Sequence, residues 1–159
     1  MLGLFSLSNK KSLDTAGKYS AMDIANYILE RGAKENYQLS NLQLQKILYY
    51  VQRDFLQKEN YALFSDEIEA WQFGPVVSRV YYNFCAFGAM DIYYLPTDVP
   101  ELADSEKNRI NAIVDEKRKV LPWELVADTH APKKAWSLIY RNGIGYKNVI
   151  PKEVIARYG

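Results

Sequence analysis

The sequence predicts a mainly α fold of the α+β kind: one compact helical domain with a short β-hairpin or small sheet around residues 61–73 and 91–95. Three observations carry this expectation. Apolar residues recur at three- and four-residue intervals over several long windows, the signature of half-buried helices. Two of those windows open on a serine with Asp or Gln three residues on, the pattern of a capped helix start. Apolar–polar alternation, the strand signature, is concentrated in residues 67–73.

Residues 1–19 show no sustained period, and NKKSLDTAGK is polar. They are read as an N-terminal extension, flexible or docked, ahead of a domain spanning 20–159. Ser20, followed by Asp23, opens a helix over about 21–33, with Ile24, Tyr27 and Ile28 on its inner face and Gly32 as its stop. The next start is stronger. Ser40 and Gln43 form a capping pair, and Leu39 and Leu44 stand where a hydrophobic staple would close the corner. Leu44, Ile47, Leu48, Val51 and Phe55 follow at helical spacing, which predicts a central helix over about 41–57 with Tyr49 and Tyr50 beside its apolar stripe.

The turn-rich KENYALFSDE leads to a strand in EIEAWQF, with YALF ahead of it as a pairing partner. Gly74-Pro75 is read as the end of that strand and the first turn of a helix carrying Val76, Val77, Val80, Tyr81, Phe84 and Phe87. DIYYLP is a short extended piece. Ser105 opens a helix with Ile110, Ile113, Val114 and Leu121 on one side, and Pro122 and Pro132 begin two shorter helical pieces. Asn148-Val149-Ile150 reads as extended, and PKEVIARY as a terminal helix.

Composition narrows the function. Of 159 residues, 48% are apolar and 25% charged, ordinary for a soluble globular chain. The formal net charge of +1 lacks the basic excess of a phosphate-backbone binder, so nucleic acid is not an expected partner. Aromatic residues reach 14%, with 13 Tyr. They serve either as amphipathic core padding or as a protein-binding face. The lone Cys85 excludes an internal disulfide, fits a reducing cytoplasm, and is expected as a buried inert thiol among aromatics. The apolar run in MLGLFSL is short for a signal sequence, and no stretch approaches the ~20 apolar residues of a membrane span.

Catalytic patterns are weak. One His and one Cys give no pair at metal-ligand spacing, and Asp66, Glu67 and Glu69 lack the pattern of a calcium loop, so no metal or other cofactor is expected. Asp128-Thr129-His130 does not form a triad by adjacency, and His130 is expected to hydrogen-bond locally near a helix end. RNGIGYKN has two glycines but no phosphate-loop pattern and is read as a turn. The residues alone describe a mainly helical binding protein and no enzyme.

Two central segments, LQLQKILYYVQ and EAWQFGPVVSRVYYNF, give the chain a resemblance to the Panacea domain family, also described as SocA-like or GepA-like. Ala25-Asn26-Tyr27 match the opening of the family pattern. Leu42, Leu44, Lys46, Ile47, Leu48, Tyr49 and Tyr50 match its second part, and Glu69, Ala70, Trp71, Gly74, Pro75, Val76, Val80 and Tyr81 its third. Leu125, Thr129, His130 and Trp136 match the last. The resemblance covers about residues 20–158. It departs where Ala135, not Pro, precedes Trp136, and in the N-terminal extension.

The resemblance implies a helical, cytoplasmic, bacterial or phage antitoxin that neutralises a cognate protein toxin by direct contact. The alternatives are a proteolytic adaptor handing a toxin to an ATP-dependent protease, or a regulatory protein of a phage or mobile element. A protease or chaperone would be a further partner, and self-association stays open. Within the motifs, Gly74, Pro75, His130 and Trp136 are expected to shape the fold, and Trp71 to do so or to touch the partner. Lys46 either snorkels or pairs with a carboxylate such as Glu69. Tyr49, Tyr50, Arg79 and Tyr82, flanking the apolar stripes, are the candidate exposed contacts together with Trp71.

Overall fold

The helix that organises the molecule is the one whose start is best specified. In the computed structural model, which describes residues 11–159, Ser40 Oγ accepts the Gln43 N–H at 3.2 Å and Gln43 Oε1 accepts the Ser40 N–H at 3.0 Å. The helix runs over Asn41–Asp54 (α2), continues through a π-helical turn at Phe55–Glu59, and ends at Asn60 in a left-handed conformation. The expected apolar stripe lies in the core: Leu44, Ile47, Leu48 and Val51 are fully buried and Phe55 nearly so.

Ala21–Lys34 (α1) packs against it and carries the expected reciprocal cap between Ser20 and Asp23. Gly32 is not the stop. A Cβ there would stand 2.6 Å from the Tyr37 carbonyl oxygen, so this glycine permits the chain after the helix to fold back closely. Asp104–Lys117 (α4) and Pro122–Thr129 (α5) pack on further sides of α2, and Ser78–Phe84 (α3) near its start. Ala135–Tyr140 (α6) and Lys152–Tyr158 (α7) complete the seven α-helices among the described residues. Leu121 is not on the inner face of α4; it is the exposed residue capping α5.

A small antiparallel sheet packs on α2. Its strands are Ile68–Trp71 (β1), Gly74–Val76 (β2) and Val149–Ile150 (β3), in the order β2-β1-β3. Trp71 pairs with Gly74 across a two-residue turn, and Ile68 pairs with Ile150. The mainly helical fold with a small sheet is therefore as expected, but the sheet sits elsewhere in part. Gly74-Pro75 does not begin a helix; it continues into the second strand of a hairpin, and helix starts at Ser78. Proline fits because β2 lies at the sheet edge, where its missing N–H costs no ladder bond. YALF does not pair with β1, and residues 91–95 contribute one isolated bridge, Asp91 to Ser40.

The partner of YALF is the N-terminal arm. Tyr61 and Phe64 form parallel bridges with Asp14 and Tyr19, and the Ser65 N–H donates to the Tyr19 carbonyl at 2.9 Å. Residues 11–19 are thus docked, while the short apolar run at 1–7 and the rest of residues 1–10 lie outside the described residues. A buried carboxylate fastens the arm to α4. Glu106, 2% exposed, accepts from Tyr19 Oη at 2.8 Å, Lys18 Nζ at 3.0 Å, the Ala103 N–H at 3.1 Å and Tyr61 Oη at 3.2 Å. Burial alone would raise its pKa, but the hydrogen bonds from Tyr19 and Lys18 outweigh it and hold the carboxyl below its ordinary value.

Candidate functional site

Motif residues from four separated segments meet at the β1–β2 hairpin. Lys46 reaches it from α2, with its side chain fully buried, and donates from Nζ to the Pro75 carbonyl at 3.0 Å. Burial lowers its pKa from 10.5 to about 7. The expected pairing with Glu69 does not form. Residues alternate in β1, so Ile68 and Ala70 are buried while Glu69 and Trp71 share the opposite, half-open face. There Glu69 Oε2 accepts the Trp71 indole N–H at 2.7 Å and fixes the ring.

Two features favour glycine at position 74. Its φ of +112° lies where a side chain is strained, and a Cβ would meet Lys46 Cε at 2.7 Å and Thr129 Oγ1 at 2.8 Å. Behind the hairpin, Trp136 donates from Nε1 to the Trp71 carbonyl at 2.8 Å. The His130 ring lies flat on Trp136, with centroids 3.7 Å apart and planes 3° apart. His130 caps the end of α5, where its carbonyl accepts the Ser137 hydroxyl, so its backbone takes part in the expected local hydrogen bonding. Its Nε2 is buried and has no hydrogen-bond partner among the described residues. Burial, then the neighbouring Lys46 charge, lowers its pKa.

The outer face of the hairpin is aromatic. Trp71 packs against Tyr81 at 4.9 Å between centroids, Tyr82 at 5.8 Å and Tyr146 at 6.4 Å. The Lys147 ammonium stands 5.0 Å from the Trp71 ring centre. Phe73, in the hairpin turn, is 61% exposed, and Tyr82 and Tyr146 are also exposed. Tyr146 and Lys147 come from the turn after α6, which is stitched to β1 by Lys147 N–H to Ala70 O at 2.7 Å and Ala70 N–H to Asn148 O at 2.8 Å.

Among the candidate contacts, Trp71 is half-buried, and Arg79 and Tyr82 are exposed. Tyr49 and Tyr50 are not exposed. They are 3% and 1% accessible because α2 is covered on nearly every side, so a position beside its stripe still faces a neighbour. Burial pushes the Tyr49 hydroxyl up to about 12. Tyr50 donates to Asp128 of α5, and the Arg53 and Lys117 cations stand 4.8 and 4.3 Å from its ring centre. Cys85 is exposed, not buried, because it follows Phe84, which takes the inward position at the end of α3. Phe73, Tyr146 and Lys147 were not singled out as contacts from the sequence. The Tyr-Lys pair lies in a turn that approaches Trp71 only through the pairing around β1.

No group of His, Cys, Asp or Glu suited to a metal ion is present among the described residues, and no described helix is long and apolar enough to cross a membrane. A helical domain with a motif-built hairpin and an aromatic outer face defines a class by fold: mainly α with a small antiparallel sheet. The chain belongs to the family described as Antitoxin SocA-like, Panacea domain, whose family model matches residues 44–137. It is 41% identical over 68 residues to "Antitoxin SocA" of Caulobacter vibrioides (strain NA1000 / CB15N), a match covering 43% of this chain and 36% of that relative. The match thus spans about a third of the curated relative's length. No solved structure matches.

Proposed function

We propose that this protein is an antitoxin that neutralises a cognate protein toxin by direct binding. The observation that carries the reading is where the motif residues go. Lys46, Gly74, Pro75 and Trp136 build and brace one hairpin from within, and the face it presents outward is Trp71, Phe73, Tyr82 and Tyr146. Exposed aromatic clusters on a braced scaffold suit hot-spot recognition, because large rings desolvate much area for little lost side-chain entropy. Membership in an antitoxin-like family and the name of the curated relative support the same reading.

The test is co-expression with the protein encoded beside it. Growth should be arrested by the neighbour alone and restored by this chain, and the two should co-purify at fixed stoichiometry. A harmless neighbour and no complex would sink the reading. Rescue that requires an ATP-dependent protease and lowers the neighbour's abundance would replace direct inhibition with proteolytic delivery.

A further inference from the structure

A pocket of about 430 Å³ opens beside the hairpin, between the first half of α2, the β1–β2 turn and the Tyr146–Lys147 turn. That volume falls in the range of about 300–1,000 Å³ typical of ligand-sized clefts. Its walls include Leu42, Trp71, Phe73, Val76, Tyr81 and Tyr146, and Ala89 stands exposed on its lining. Two features give it a chemical preference. The walls are rigid: Trp71 is held by Glu69, and Gln45 beside it accepts the Val77 N–H at 2.9 Å while donating to Asn41 at 3.0 Å. Its charge has one sign. No lining residue is acidic, the Lys46 side chain also borders it, and Lys147 sits over two lining rings, Trp71 and Tyr146, at 5.0 and 5.5 Å. Lys147 forms no ion pair among the described residues, and Glu69, an acid near it, is engaged by the Trp71 indole.

We propose that this pocket is the anchor site for the partner polypeptide: it receives one apolar side chain of aromatic size from a segment that also carries a carboxylate, which Lys147 pairs at the rim. This inference rests on the binding function proposed above. Apolar walls without an acid favour such a segment over a basic one, and a carboxylate at the pocket rim would meet the Lys147 ammonium, which stands over the Trp71 ring 5.0 Å from its centre.

Two surface variants separate the parts without touching the core. Ala89→Trp fills the pocket from its exposed rim, and Lys147→Gln removes the rim charge. In complexes with the neighbouring-gene protein, Ala89→Trp should weaken affinity at least 10-fold and Lys147→Gln about 3- to 10-fold, the latter loss shrinking in high salt. Affinities within 2-fold of the unsubstituted protein for both variants would overturn the proposal while leaving the binding function intact. Should no complex form at all, the binding function fails, and the pocket is decided by small probes. 3-Phenylpropionate should shift the Trp71 indole N–H resonance, leave that of the exposed Trp123 unmoved, and bind at least 3-fold tighter than 3-phenylpropionamide. Equal binding of acid and amide, or no shift, overturns it. A dimer of this chain that dissociates on Phe73→Ala would also overturn it, by making a second copy the occupant.

Discussion

Lys46 and Glu106 are both almost fully enclosed, and they are treated in opposite ways. Glu106, at the junction of the arm and α4, meets four donors and keeps its charge. Lys46, at the hairpin, has a single acceptor in hydrogen-bond reach among the described residues, and burial lowers its pKa to about 7. Burial alone therefore does not decide the state of a charge; the number of partners that fold around it does. Glu106 is a fastening whose valences are spent within the chain. Lys46 stands where the fold has left electrostatic demand unmet, beside the surface proposed for binding.

The sharpest way to break this contrast is to remove the fastening. Glu106→Ala leaves Tyr19, Tyr61 and Lys18 without their shared acceptor and should cost about 3 kcal/mol in urea unfolding. Amide exchange at Tyr19 and Ser65 should accelerate more than exchange in α2.

Next comes pH. Lys46 titrates near 10.5 when unfolded and near 7 when folded, so between those values the unfolded chain binds the extra proton. Its contribution is fully present above about 10.5 and is lost as pH falls toward 7, so stability should rise with pH across that window. Lys46→Met should remove that rise, a difference readable as Tm against pH for the two proteins. Parallel curves would show that the amine keeps its proton on folding.

Gly74→Ala forces a side chain into a φ of +112° against Lys46 and Thr129, and should cost about 1–2 kcal/mol. The smallest stability effect belongs to Glu69→Gln. It exchanges the charged acceptor of the Trp71 indole for a neutral one and should change stability by under about 0.5 kcal/mol, yet loosen partner binding measurably because the ring is held less tightly. A loss of stability larger than that of Gly74→Ala would mean that Glu69 supports the fold and not the face.

The comparison also shows what the residues announce on their own. Both capped helix starts were legible, because Ser20–Asp23 and Ser40–Gln43 are bonds between near neighbours in sequence. The inner stripe of α2 was legible for the same reason: helical periodicity is local. The second hairpin strand was not, since Gly-Pro opens a helix as readily as it turns a strand, and only edge pairing with β1 settles which. The burial of Tyr49 and Tyr50 depended on what covers α2: for Tyr50, a hydrogen bond to Asp128 in α5, 78 positions away, puts its hydroxyl against another helix. Lys46 could be marked as an odd polar residue in an apolar run, but its acceptor proved to be the Pro75 carbonyl, which no side-chain pattern encodes. The aromatic face was half legible, in Trp71 and Tyr82; Tyr146 and Lys147 reached it through the sheet.

Cys85, the chain's single thiol, projects into solvent three residues before Gly88, which borders the pocket. A handle for chemistry thus lies beside the proposed binding face. A maleimide dye on the unaltered sequence would label one position, and its brightness would register a partner's arrival without a single substitution.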